Sequence, residues 1–115
     1  ARIELIRAVE HAEVVGDHLL GRLRGLMDKH AIIGDVRGKG LMIGVELVRD
    51  RVTKERATDE RNAVVNEAFS RGMLILGAGR NAVRFSPPLV LTKAQADTAI
   101  RLFDESLTAV TARTS

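Results

Sequence analysis

Apolar residues in the opening segment recur at helical spacing. Val15, Leu19, Leu20, Leu23, Leu26 and Met27 stand one, three and four apart, which draws a single stripe down one helix face. The pattern predicts helix over residues 3–29, in one piece or in two that meet near Gly16. Gly16 and Gly21 each cost about 1 kcal/mol against alanine without outweighing the stripe. The period then changes. Between Ile32 and Arg49 two β-rich stretches flank Gly38-Lys39-Gly40, the mark of a hairpin or bulged turn that needs a positive φ. From Leu41 to Val48, Met42, Gly44, Glu46 and Val48 alternate with Leu41, Ile43, Val45 and Leu47. Only the second set is uniformly apolar, so it is the face expected to be buried.

Residues 50–57 are charged and read as loop. A second helix is predicted from Thr58 to Arg71, with Thr58 as N-cap, Gly72 as stop, and Val64, Val65, Ala68 and Phe69 facing inward. Met73–Leu76 and Ala82–Phe85 flank the glycine-containing stretch Gly77–Asn81, so they are expected to pair as antiparallel strands. Ser86-Pro87-Pro88 ends the second of these, because proline cannot donate to a ladder. Thr92-Lys93-Ala94-Gln95 has the Thr-x-x-Gln form of a capping box and opens a last helix. Its stripe is Ala96, Ala99, Ile100, Phe103, Leu107 and Val110, with fraying expected beyond.

The order α-β-β-α-β-β-α implies an α+β fold, a small, mostly antiparallel sheet of about four strands covered on one face by about three helices. One domain over residues 1–115 is expected. Composition narrows the class. No apolar run reaches the roughly 18–20 residues needed to span a bilayer, so no membrane role is expected. The start, Ala1-Arg2-Ile3-Glu4, has no leader pattern and no Met, which fits a piece of a longer or processed polypeptide. Cysteine is absent, which removes disulfides and thiolate metal sites and suits the cytoplasm. The formal net charge of +3 invites a nucleic-acid reading. Its cations, however, are scattered among carboxylates rather than gathered to meet successive phosphates, and there is no Trp or Tyr to stack on a base. No nucleic-acid partner is expected.

Several groups invite chemistry and do not sustain it. Gly38-Lys39-Gly40 leads into a strand, whereas a phosphate cradle leads into a helix. His11, His18 and His30 lack the companions of a metal site and read as surface or capping histidines, so no metal is expected. Asp59-Glu60 and Asp104-Glu105 are neighbours on helices, do not face each other, and read as solvated faces. Arg84 differs. It sits between apolar neighbours near the end of a short strand, where an arginine is either paired internally or offered to an anion. A guanidinium fork grips a carboxylate bidentately in a way lysine cannot.

Three ordered stretches carry a resemblance. Ile33-Gly34-Asp35-Val36-Arg37-Gly38-Lys39-Gly40-Leu41-Met42-Ile43-Gly44-Val45-Glu46-Leu47, then Gly72-Met73-Leu74-Ile75-Leu76, then Asn81-Ala82-Val83-Arg84-Phe85-Ser86-Pro87-Pro88-Leu89 resemble the C-terminal small domain of class III pyridoxal-phosphate-dependent aminotransferases. The closing helix with Asp97, Ile100 and Phe103 also matches, so the resemblance covers nearly the whole chain. It implies that Arg84 binds the substrate's α-carboxylate, while Arg37, Gly38, Gly40 and Glu46 are architectural. It implies amino-group transfer between an amino acid or ω-amino acid, such as 4-aminobutyrate, and a 2-oxo acid, in a homodimer with pyridoxal 5'-phosphate. Acetylornithine aminotransferases, amino-acid racemases and a decarboxylating enzyme share the same domain. The lysine, acid and phosphate loop that hold the cofactor belong to the family's large domain. No catalytic or cofactor-binding residue is therefore expected in this chain, and alone it is expected to be inactive and to expose an apolar face. The competing expectation is a stand-alone regulatory or interaction module that binds a small carboxylate or a partner protein.

Overall fold

The computed structural model describes residues 2–40, 42–85 and 91–114. Among them the chain forms helix α1 (Arg2–Gly25), strands β1 (Ile33–Lys39) and β2 (Met42–Leu47), helix α2 (Thr58–Ser70), strands β3 (Leu76–Ala78) and β4 (Ala82–Phe85), and helix α3 (Lys93–Thr114). The strands make one sheet in the order β1-β2-β4-β3, and every neighbouring pair is antiparallel. The fold is α+β with a four-stranded antiparallel sheet, as the alternation of periods predicts.

Burial follows the two periods. Ile43, Val45 and Leu47 of β2 and Val83 and Phe85 of β4 are buried, while the intervening residues are not. They meet Val15, Leu19 and Leu23 of α1, Val64 and Ala68 of α2, and Ile100, Phe103 and Leu107 of α3 in one core. Phe85 and Phe103 stand edge to face with ring centroids 5.0 Å apart. Ile33 and Val36 lie three apart on β1 and would point to opposite faces of a regular strand. A register shift between Ile33 and Asp35 lets both reach the core. The opposite face of the sheet carries Arg37, Met42, Gly44, Glu46, Leu76 and Arg84, none of them fully buried.

Several boundaries differ from those expected, each for a local reason. Helix α1 runs unbroken through Gly16, which is buried so close to the hairpin turn that a Cβ there would run into the carbonyl of Gly40. Beyond Gly25 the chain winds on with i→i−3 bonds, such as Met27 N–H to the Arg24 carbonyl at 3.1 Å. The β1–β2 turn lies past Lys39, which pairs with Met42, and the positive φ falls on Gly40 at +60°. The N-cap position of α2 is Ala57, with no side-chain cap, and Thr58 is already helical. At its other end Gly72 N–H bonds to the Phe69 carbonyl at 3.0 Å and Met73 N–H to Ala68 at 2.9 Å, a Schellman arrangement.

The inward face of α2 is Arg61, Val64 and Ala68. Val65 is only partly buried, and Phe69, expected inside, is 70% exposed. Strand β3 begins at Leu76 rather than Met73; Met73 and Ile75 enter the core outside the ladder. The capping box at Thr92 forms as expected, with Gln95 N–H on Thr92 Oγ1 at 3.1 Å and Thr92 N–H on Gln95 Oε1 at 3.0 Å. Helix α3 continues past Val110, tied to α2 by Arg113 on Glu67 at 2.8 Å. The proline stop at Ser86-Pro87-Pro88 lies outside the described residues.

Candidate functional site

The side of the sheet away from the helices gathers two arginines about a small, side-chain-free position. Register places Arg37, Gly44, Arg84 and Leu76 in a single row across β1, β2, β4 and β3. Side chains in one row of a pleated sheet point to the same face. Two arginines therefore stand on either side of Gly44, which contributes no side chain. Together with Gly38, Met42 and Ile43 they line a shallow concavity of about 350 Å³.

The two cations are not equivalent. Arg37 is held by Asp35, Nε to Oδ2 at 3.0 Å, with Glu46 next nearest at 3.7 Å. That pairing suits the architectural role expected of Arg37 and Glu46. Arg84 is exposed and, among the described residues, has neither an ion pair nor a side-chain hydrogen bond. The first of the two readings left open by the sequence, internal pairing, finds no partner among the described residues, and Arg84 faces outward. A larger cavity of about 430 Å³ adjoins across Arg37, but its charges are largely committed. Arg51 on its wall donates to the backbone carbonyls of Ile33 and His30, at 3.0 Å each.

Several of the remaining titratable groups tie the elements together. His18 Nε2 meets Asp97 Oδ1 at 2.7 Å, and Arg22 reaches the same oxygen at 2.8 Å, joining α1 to α3. His30, expected at the surface or as a cap, is buried with its Nε2 on Asp104 Oδ1 at 2.6 Å, while Lys29 takes Oδ2 at 2.9 Å. Partial burial opposes ionisation of Asp104, but the hydrogen bonds from His30 and Lys29 outweigh it and hold the carboxyl below its ordinary value. Asp104 is thus a tertiary anchor rather than part of a solvated face. Glu60 likewise accepts two bonds from Arg49, at 2.8 and 3.0 Å, which outweigh desolvation and lower its pKa. His11 donates to the Leu91 carbonyl at 2.8 Å. No group of three or more His, Asp or Glu able to hold a metal occurs among the described residues, and no helix there is long and apolar enough to cross a membrane.

Two polar residues that sequence reasoning passed over are buried beside this face. Arg61 is 8% exposed and spends its guanidinium on the turn between β3 and β4. Asn81 sends Nδ2 to the Leu47 carbonyl at 2.7 Å and receives Leu47 N–H on its own carbonyl at 2.9 Å. The spacing of Arg61, Val64 and Ala68, three then four, was the available signal, hidden because a charged residue is normally struck from an apolar stripe.

A pyridoxal cofactor needs a lysine desolvated enough to shed its charge. Lys29, Lys39, Lys54 and Lys93 are all exposed, and Lys29 is engaged with Asp104. The described residues do not suit that group.

The open face of this α+β layer thus presents an exposed arginine with no partner among the described residues. Comparison with known proteins agrees on the class. The family described as Aminotransferase class-III matches residues 2–107, and the chain belongs to that family. It is 40% identical over 86% of its length to a leucine/methionine racemase of Thermococcus litoralis. It is 44% identical over 91% to an alanine–glyoxylate aminotransferase 2 homolog, mitochondrial, of Arabidopsis thaliana. The match covers 22% of each of those proteins. Among solved structures, a Bacillus anthracis aminotransferase superposes on 93% of the chain with a TM-score of 0.87 at 31% identity, and the match covers 25% of it. The chain thus spans about a quarter of the length of the proteins it resembles.

Proposed function

We propose that this chain is the C-terminal small domain of a pyridoxal-phosphate-dependent class III enzyme and that Arg84 binds the carboxylate of its amino-acid substrate. The observation that carries the reading is the exposed guanidinium of Arg84, without a partner among the described residues, beside the side-chain-free floor at Gly44. A bidentate grip on the carboxylate fixes both position and rotation of the substrate, so the bond to be broken is held at one orientation. The cofactor, when bound, would supply the electron sink, held by residues of the large domain that the resemblance implies. The reaction is amino transfer between an amino acid or ω-amino acid, such as 4-aminobutyrate, and a 2-oxo acid, carried out by a homodimer. A racemase is the second reading, favoured by the likeness to the Thermococcus litoralis enzyme.

The exposed apolar residues support a domain that is covered in the working enzyme rather than a stand-alone module. Met42 and Leu76 lie on the open face at 59% and 54% exposure, and Ile3, Leu5 and Ile6 line the start of α1.

Aminooxyacetate and methoxyamine test the role of Arg84, since both would react through an aminooxy nitrogen at the bound cofactor's electrophilic carbon, displacing the enzyme's lysine amine, and only the first bears a carboxylate. In the full-length holoenzyme, Arg84→Ala should slow aminooxyacetate by about tenfold or more, the worth of a charge-assisted bond pair. Methoxyamine should stay within about twofold, and Arg84→Lys should not restore the loss. Equal slowing of both probes would remove the carboxylate role.

A further inference from the structure

We infer that Arg61 is a positioning residue that sets the pose of Arg84 through the β3–β4 turn. The inference rests on the carboxylate role proposed for Arg84 and extends it to a residue outside that face.

Arg61 is buried, yet among the described residues no carboxylate pairs with it. Its Nη1 donates to the Ala82 carbonyl at 2.7 Å and the Ala78 carbonyl at 3.1 Å. Its Nη2 lies 3.5 Å from the Gly79 carbonyl, and Nε donates to Asn62 Oδ1 at 2.8 Å. Ala78 and Ala82 are register partners, so one nitrogen bridges the last rung of the β3–β4 ladder and closes the turn behind it. Gly77 leaves the room: a Cβ there would stand 3.1 Å from Nη1.

Burying an uncompensated cation is costly, and an apolar side chain would pack the same space more cheaply. What the fork adds is direction, fixing three carbonyls at once. The strand it secures needs help. β3 is three residues long and pairs with β4 alone, and so short an edge strand is marginal by itself. Its first residue, Leu76, pairs directly with Arg84, and Ala82 lies two residues before Arg84 on the same strand. Loosening the Arg61 fork frees β3 and lets the backbone of Arg84 drift, which degrades a bidentate grip before it degrades the core. Asn81 holds the same turn from the β2 side through its two bonds to Leu47.

The test uses the full-length holoenzyme and the rates of aminooxyacetate and methoxyamine. Arg61→Gln should lower the preference for aminooxyacetate about fivefold to tenfold with methoxyamine nearly unchanged. In the Arg84→Ala background it should lower it no further, since the grip it positions is gone. Gly77→Ala, which crowds the fork without removing it, should shift the preference the same way by a smaller factor. It carries the test if Arg61→Gln does not fold. Equal slowing of both probes, or an undiminished Arg61→Gln effect in the Arg84→Ala background, would overturn the positioning role. A flat response to Arg61→Gln and Gly77→Ala beside a selective Arg84→Ala loss sinks the positioning role alone. If Arg84→Ala shows no selective loss, the carboxylate assignment falls and takes this inference with it.

Discussion

Replacing Gly16 by alanine sets two free-energy terms of opposite sign against each other. Inside a helix, alanine is favoured over glycine by about 1 kcal/mol, because less backbone entropy is lost on folding. Were α1 a free helix, the substitution would stabilise it. In the fold, Gly16 is buried against the β1–β2 turn, and the added Cβ would overlap the Gly40 carbonyl. Gly40 has little freedom to retreat, since its φ of +60° shapes the turn that follows the Lys39–Met42 pair. Helix α1 must therefore lift from the sheet, loosening Val15 and Leu19, both fully buried. Overpacking of this kind costs about 1–3 kcal/mol, and more where backbone must move. Collision with a constrained carbonyl belongs at the upper end, so a net loss of about 2 kcal/mol is expected. Gly21 is the control: it lies on the exposed side of the same helix with nothing within 4 Å of an added Cβ. Gly21→Ala should gain up to about 1 kcal/mol. Urea unfolding followed by far-UV circular dichroism measures both, provided the slope with denaturant is unchanged. A Gly16→Ala chain as stable as the parent, beside a stabilised Gly21→Ala chain, would refute the close approach of α1 to the turn.

Thr92→Ala removes the oxygen that accepts Gln95 N–H at the start of α3 and should cost about 1 kcal/mol in the same assay; no change would mean the capping box contributes nothing. Asp104 has a pKa lowered in the folded chain, so it contributes stability that is present above the ordinary aspartate range and lost as pH falls through the depressed value. Asp104→Asn should therefore lower stability at neutral pH by about 1–2 kcal/mol and flatten the acid limb of the stability profile, and an unaltered limb would count against the His30 and Lys29 pairing.

Local periodicity and turn chemistry are written in adjacent residues, and those were legible. The alternation of Ile43, Val45 and Leu47, the stripe from Ala96 to Val110 and the Thr92–Gln95 box each state an element without reference to the rest of the chain. The ordered motifs around Arg37, Gly72 and Arg84 led to the same family that the comparisons show. What the chain does with its polar residues could not be read that way. Arg61 lies within a buried stripe because carbonyls of residues 78, 79 and 82 converge on it, and that convergence exists only once β3 and β4 have paired. Phe69 is displaced to the surface by the same choice of helix face. Asp104 becomes an anchor because α3 packs where His30 and Lys29 end the first helical segment, dozens of residues away in sequence. Gly16 reads as a weak point in a helix and is instead a contact with a turn. Sequence by itself determined the order of helices and strands and the buried faces of β2 and α3, since those depend on a chain's immediate neighbours. Only tertiary structure decided which charges are spent inside the fold and which, like Arg84, face outward, because a charge is satisfied by whatever distant groups the fold brings within reach.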